Sequence, residues 1–127
     1  MWKMVVVCVD DHPVMLRGLE ENARGAAPEA RVCGFRNAQD AVLFAEKYGC
    51  DVLMCEIELP GEDGLSLARK IRAKFPQAEI IFVTVCSEKE HAAEIAPLKP
   101  AGYLTKPATG AQITRVFKRL NSPVRRK

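Results

Sequence analysis

Nowhere does the chain carry an apolar run near the roughly 20 residues that a membrane-crossing helix needs, which excludes a helical span. The first eleven residues also lack the charged start and small-residue cleavage pattern of a signal peptide, so a soluble, cytoplasmic protein with no membrane contact is expected. Excess charge is missing too: the formal net charge is +3, and part of it sits on the terminal Arg125, Arg126 and Lys127. A folded body so close to neutral offers no clustered basic face for a phosphate backbone, so no direct nucleic-acid binding by this domain is expected. Five cysteines are present, but no CxxC and no recognisable Cys/His spacing. Cys8, Cys33, Cys50, Cys55 and Cys86 therefore read as reduced core residues of an intracellular protein. There is no GxGxxG or GxxxxGK loop and no DxD pair after the first apolar run, which argues against a nucleotide-binding α/β domain or a magnesium-dependent phosphohydrolase.

What the chain does have is a core. With 127 residues, 48% hydrophobic and 28% charged, it suits one globular domain. Residues 3–9 (KMVVVCV) form a continuous β-branched run, as in a strand buried on both faces, and end at Asp10, Asp11 and His12. Pro13 suits the first turn of a helix through about Arg24, with Leu16, Leu19 and Ala23 inward and Gly25 and Pro28 closing it. Residues 30–35 are a second strand. Asn37 is an N-cap for a helix carrying Ala41, Leu43, Phe44 and Ala45, which Gly49 stops. Strand three spans 51–55. Asp63 caps a third helix with Leu65, Leu67, Ala68, Ile71 and Phe75 inward and Arg69, Lys70, Arg72 and Lys74 facing water. Residues 79–86 (EIIFVTVC) are a fourth strand, and Ser87 with Glu90 fits a capping box for a fourth helix, which Pro97 and Pro100 make short or distorted. A fifth strand around Tyr103 and Leu104 stops at Thr105, Lys106 and Pro107. Thr109 caps a last helix with Ile113, Val116, Phe117 and Leu120 inward. Strands that alternate with helices predict a parallel sheet with helices on both faces and right-handed crossovers. The domain is expected to occupy 1–120, with 121–127 a basic tail or the start of a linker to a further domain.

In a parallel sheet all strand carboxyl ends share one edge, where ligands bind in open α/β folds. That edge gathers Asp10, Asp11, Glu56, Thr84 and Lys106. Clustered carboxylates repel unless a cation neutralises them, and hard oxygen ligands with room for water suit Mg²⁺. Thr84 and Lys106 complement the oxygens of a phosphoryl group.

Asp10 and Asp11 after the first strand, PGEDG after the third, Thr84 after the fourth, and GYLTKP with Lys106 before Pro107 together resemble the receiver domain of bacterial two-component response regulators, over residues 3 to about 120. The resemblance implies a flavodoxin-like, doubly wound three-layer fold with five helices around a five-stranded parallel sheet of order 2-1-3-4-5. It also implies a magnesium site at Asp10, Asp11, the acceptor side chain and the Glu58 backbone carbonyl, and phosphoryl transfer to the acceptor from a histidine kinase or phosphotransfer protein. Thr84, Val85 and Tyr103 would then form the switch, reshaping the face of the fourth helix, fifth strand and fifth helix that meets another receiver or an output domain. The Lys106-Pro107 bond is a candidate cis peptide.

Two positions depart from the family pattern. The acceptor aspartate is expected four residues before the proline of the PG turn, and that residue is Glu56. Its extra methylene moves the carboxylate outward, which spoils in-line attack on a positioned donor and places negative charge where a phosphoryl group would sit. Asp51 is a poor substitute, since it begins the strand at the opposite edge. After Thr84 the family usually has a small residue, but here stands Val85, which either narrows the path to the acceptor or only extends the core. Two readings follow for a signalling module that is not an enzyme in the ordinary sense: Glu56 makes it silent to kinases or biases it toward an active-like state. The alternative is a receiver that still accepts a phosphoryl group and hydrolyses it slowly with Mg²⁺.

Overall fold

A computed structural model describes residues 4–120 of the chain. The expected strand start at Lys3 and the basic stretch 121–127 lie outside the described residues. In order, the elements are β1 (Val5–Val9), α1 (Pro13–Ala26), β2 (Arg31–Phe35), α2 (Ala38–Tyr48), β3 (Val52–Cys55), α3 (Gly64–Lys74), β4 (Glu79–Thr84), α4 (Ala92–Ile95), β5 (Gly102–Thr105) and α5 (Gly110–Lys118). Tight 3₁₀ turns at Glu88–His91 and Ala96–Leu98 flank α4. All strand pairs are parallel, in the order β2-β1-β3-β4-β5. The parallel pairing is what the alternation of elements predicts, and the strand order is the doubly wound, flavodoxin-like one that the family resemblance implies.

The continuous apolar runs have a direct cause in this architecture. Along β1, Val5, Val7 and Val9 join one core with α2 and α3, whereas Val6 and Cys8 join a second core with α1 and α5. Successive side chains of a strand point to opposite faces, so a strand covered on both sides cannot alternate with polar residues. β3 and β4 repeat the pattern, with Leu53, Ile80 and Phe82 on the first side and Met54, Ile81 and Val83 on the second. Helix starts follow local chemistry as expected: the side chains of Asn37, Asp63 and Thr109 accept from the backbone N–H three residues on.

Several expected details differ. Helix α1 runs past Gly25 to Ala26 and is broken by Pro28, which disfavours helical backbone at the residue before it, Ala27. β1 begins at Val5, whose N–H is taken at 2.8 Å by the Asp51 side chain. β4 ends at Thr84 and not at Cys86, because the Thr84 hydroxyl accepts from the Cys86 N–H at 3.2 Å and turns the chain out of the sheet. Leu43 is exposed, being two residues from Ala41 and from Ala45 and so on another face of α2. Arg72 does not simply face water: it is half-buried and donates to the Leu98 carbonyl at 2.7 Å. Phe75 lies just past α3 and is only partly buried. The fourth helix is short and distorted as its prolines required, and Pro97 sits in the turn that ends it.

Candidate functional site

Among the described residues, three buried polar side chains stand out in an otherwise apolar interior: Asp10, Glu56 and Thr84. Each lies at a strand's carboxyl end, where the ladder continues by a last backbone bond into the loop. The Asp10 N–H reaches Phe35 O at 3.1 Å, the Glu56 N–H reaches Val9 O at 3.1 Å, and the Lys106 N–H reaches Thr84 O at 2.8 Å. Those bonds hold the first residue of each loop in register with its neighbour, so the side chains converge by construction of the sheet.

At the centre is Lys106. Its Nζ lies 2.6 Å from Asp10 Oδ2 and 2.7 Å from Glu56 Oε1, and its side chain is 8% exposed. Burial alone would push the ammonium's pKa down, but the hydrogen bonds to Asp10 and Glu56 and their charges outweigh it and hold the pKa above its ordinary value. The other oxygen of Glu56, Oε2, accepts from Ile57 N–H at 2.8 Å, from Glu58 N–H at 3.1 Å and from the Thr84 hydroxyl. Thr84 in turn holds Cys86 N–H, and the Cys86 carbonyl accepts the Tyr103 hydroxyl at 2.7 Å. Tyr103 packs its ring 6.0 Å from Phe82. One unbroken chain of contacts therefore runs from Lys106 through Glu56, Thr84 and Cys86 to Tyr103.

The acidic pair is arranged differently. Asp10 Oδ1 accepts from His12 N–H at 3.0 Å, and Asp10, Asp11 and His12 each bring a donor atom within 4.8 Å of the others. Asp11 Oδ1 is buried with no hydrogen-bond partner, while Arg36 donates at 3.3 Å to the Asp11 backbone carbonyl. His12 Nδ1 lies 3.4 Å from Asp11 Oδ1 and 3.3 Å from Asp10 Oδ1, and a buried carboxylate oxygen with no hydrogen bond beside a second carboxylate is a donor set that fits a hard cation. Glu56 is not grouped with that pair: both of its oxygens are engaged, and the Lys106 ammonium stands between it and Asp10. Glu58 has an exposed side chain and offers its N–H to Glu56. Asp51 is at the amino edge of the sheet, bound to the Val5 N–H. Val85 is 59% exposed, which overturns the reading that it only extends the core. The Lys106-Pro107 bond is cis. His12 and the two backbone N–H donors were not anticipated as parts of the site; a histidine directly after an acidic pair was the available signal for the first, and backbone donors carry none.

Residues 6–118 match the family model described as the response regulator receiver domain. The chain belongs to the receiver domain family. Among curated relatives, the response regulator UvrY of Escherichia coli K12 is 29% identical over 121 residues, covering 92% of this chain and 54% of that protein. The transcriptional regulatory protein CitT of Bacillus subtilis is 31% identical over 81 residues, 64% of this chain and 36% of that protein. The receiver thus spans about half or less of the length of these relatives. Among solved structures, a receiver domain protein of Clostridium thermocellum superposes with a TM-score of 0.81 at 16% identity, covering 97% of this chain and 95% of that one. The chemotaxis protein CheY4 of Vibrio cholerae does so with a TM-score of 0.81 at 19% identity, over 92% and 98% of the two chains. Receivers bind Mg²⁺ through acidic residues, and no helix among the described residues is long and apolar enough to cross a membrane.

Proposed function

We propose that this receiver is a signalling module in which Glu56 stands in for a phosphorylated acceptor, so that the switch residues are held without phosphoryl transfer. The observation that carries the reading is the set of contacts made by the Glu56 carboxylate: Lys106 on one oxygen, and Thr84 with two backbone N–H groups on the other. A phosphoryl group on a side chain one methylene shorter would present its oxygens to the same donors. The glutamate reaches them by length alone.

The same contacts disfavour attack on a donor. A nucleophilic carboxylate needs a free oxygen lone pair aligned with the phosphorus, and here Oε1 is held by an ammonium while Oε2 accepts three hydrogen bonds. Asp10 and Asp11, with the Glu58 carbonyl, would hold Mg²⁺, which when bound supplies charge neutralisation for phosphoryl oxygens. Lys106 would position such oxygens, and Val85 would crowd the approach to them. Through Tyr103 the state of the Glu56 cluster would reach the face made by α4, β5 and α5, where a second receiver or an output domain would bind. A histidine kinase or phosphotransfer protein would be the partner only of a form able to accept a phosphoryl group.

Incubation with acetyl phosphate and Mg²⁺, read by intact mass, tests the reading. The parent is expected to stay at its own mass, and Glu56→Asp to gain one phosphoryl group. Uptake by the parent would overturn the proposal in favour of a phosphorylation-competent receiver.

A further inference from the structure

A second cluster of donor atoms lies outside the acidic edge. We propose that Cys86, Glu90 and His91, where the β4–α4 loop enters the 3₁₀ turn before α4, form a site for a borderline-soft divalent metal ion of the zinc class. The Cys86 sulfur, a Glu90 carboxylate oxygen and a His91 ring nitrogen all lie within 4.8 Å of one another. A thiolate, an imidazole and a carboxylate together select zinc-like ions over magnesium, which prefers oxygen alone. Zinc bonds of about 2.0 to 2.3 Å put tetrahedral donors roughly 3.3 to 3.8 Å apart, so the cluster need contract by no more than about 1 to 1.5 Å. The freedom to do so is present: Cys86 is buried and fixed, whereas Glu90 is exposed and His91 half-exposed. The Glu58 carboxylate, whose charge acts on the Cys86 thiol, or a water would fill the fourth position.

The surroundings support a metal ligand at His91. Glu94 Oε1 lies 3.1 Å from His91 Nδ1. A carboxylate only accepts, so in the neutral imidazole that a metal ion binds this contact holds the ring proton on Nδ1 and leaves Nε2 its lone pair, the orientation that carboxylate partners impose on metal-binding histidines. Glu90 already reaches back to the Ser87 N–H at 3.2 Å, which keeps its carboxylate over the loop. The ion would have a consequence for signalling, because Cys86 is the link between Thr84 and Tyr103 by its own N–H and carbonyl. Fixing its sulfur fixes that link. The site stands whether or not Glu56 imitates a phosphoryl group, since Cys86, Glu90 and His91 all lie outside the acidic edge.

Cobalt(II) reports on it directly, because thiolate ligation gives a charge-transfer band that oxygen ligands do not. Titration of the reduced protein in excess Mg²⁺, which occupies the oxygen-only site, is expected to give a one-to-one thiolate band that Zn²⁺ displaces. Cys86→Ser should abolish the band, and His91→Ala and Glu90→Gln should each weaken binding at least about tenfold. The last two replace accessible side chains, so they carry the test even if Cys86→Ser fails to fold. Absence of a thiolate band overturns the proposal, as does an affinity unchanged in both His91→Ala and Glu90→Gln, or a band lost only with Cys33→Ser.

Discussion

At the scale of single residues, the interior of this receiver balances two carboxylates on one ammonium. Asp10 and Glu56 are buried, and Lys106 lies within 2.7 Å of both. Taking three charges out of water costs several kcal/mol each, so the cluster is not itself a source of stability against a well-packed apolar set. Breaking it is another matter. Lys106→Met leaves two buried negative groups with no cation between them and is expected to cost about 3 to 5 kcal/mol. Thr84→Val keeps the shape but removes one donor to Glu56 and one acceptor for Cys86 N–H, and is expected to cost about 1 to 3 kcal/mol. Urea unfolding of the two variants checks the order. A Lys106→Met protein as stable as the Thr84→Val protein would mean that the ammonium does not hold this cluster together.

At the scale of elements, the loop between β3 and α3 is a tight joint. The Gly64 N–H bonds to Ile57 O at 2.8 Å, and a Cβ on Gly64 would stand 2.1 Å from the Glu56 carbonyl oxygen. Backbone cannot step aside as a side chain can. Gly64→Ala is therefore expected to push α3 away from the β3 end and to destabilise by about 1 to 3 kcal/mol, with Glu56 displaced from Thr84. Gly34→Ala is the contrast: its Cβ meets the end of the Glu20 side chain, which can swing aside, and Leu16 Cδ1 at 3.0 Å, which need give by only a few tenths of an ångström, so a smaller loss of less than about 1 kcal/mol is expected. Thermal melts of the pair, with the amide signals of Ile57 and Glu58 as a local readout, would separate the cases. Joints of this kind explain what the sequence shows and what it conceals. Strand positions were legible because β1, β3 and β4 are covered on both faces and so read as unbroken apolar runs. Helix starts were legible because Asn37, Asp63 and Thr109 act within three residues. The meeting of Asp10, Glu56, Thr84 and Lys106 at one edge follows from parallel order alone. Which oxygen faces which donor does not, because it depends on rotamers set by tertiary packing: hence the placing of Lys106 between two acids, the engagement of both Glu56 oxygens, and the cluster at Cys86. The extent of β4 was misjudged for a related reason, since the hydroxyl bond that ends it competes with the ladder, and an apolar pattern carries no trace of it.

At the scale of the whole molecule, the two cores flanking the sheet set how stability responds to base. Cys8, Cys50, Cys55 and Cys86 are buried free thiols, and burial first, then neighbouring acids for most of them, pushes each above its ordinary range; Cys50 is pushed up to about 12. Tyr103 is likewise pushed up to about 12, by burial and then by the charges of Cys86, Glu88, Glu56 and Glu90. Lys106 moves the same way for the opposite reason, since its charged form is favoured by Asp10 and Glu56. In all of these the folded chain keeps a proton that the unfolded chain has given up. Stability therefore falls with rising pH once the unfolded groups begin to titrate, from about pH 9 for the thiols and about pH 10 to 10.5 for Tyr103 and Lys106. Below that window these groups are protonated in both states, and their contribution does not change with pH. Urea midpoints measured under reducing conditions from about pH 8 to about pH 11 are expected to be level at first and then to fall. Cys50→Ala should shallow the early part of the fall, because it removes one thiol that ionises only on unfolding. A midpoint that stays level or rises above about pH 9 would show that these thiols are reached by water in the folded chain, against the packing of both cores.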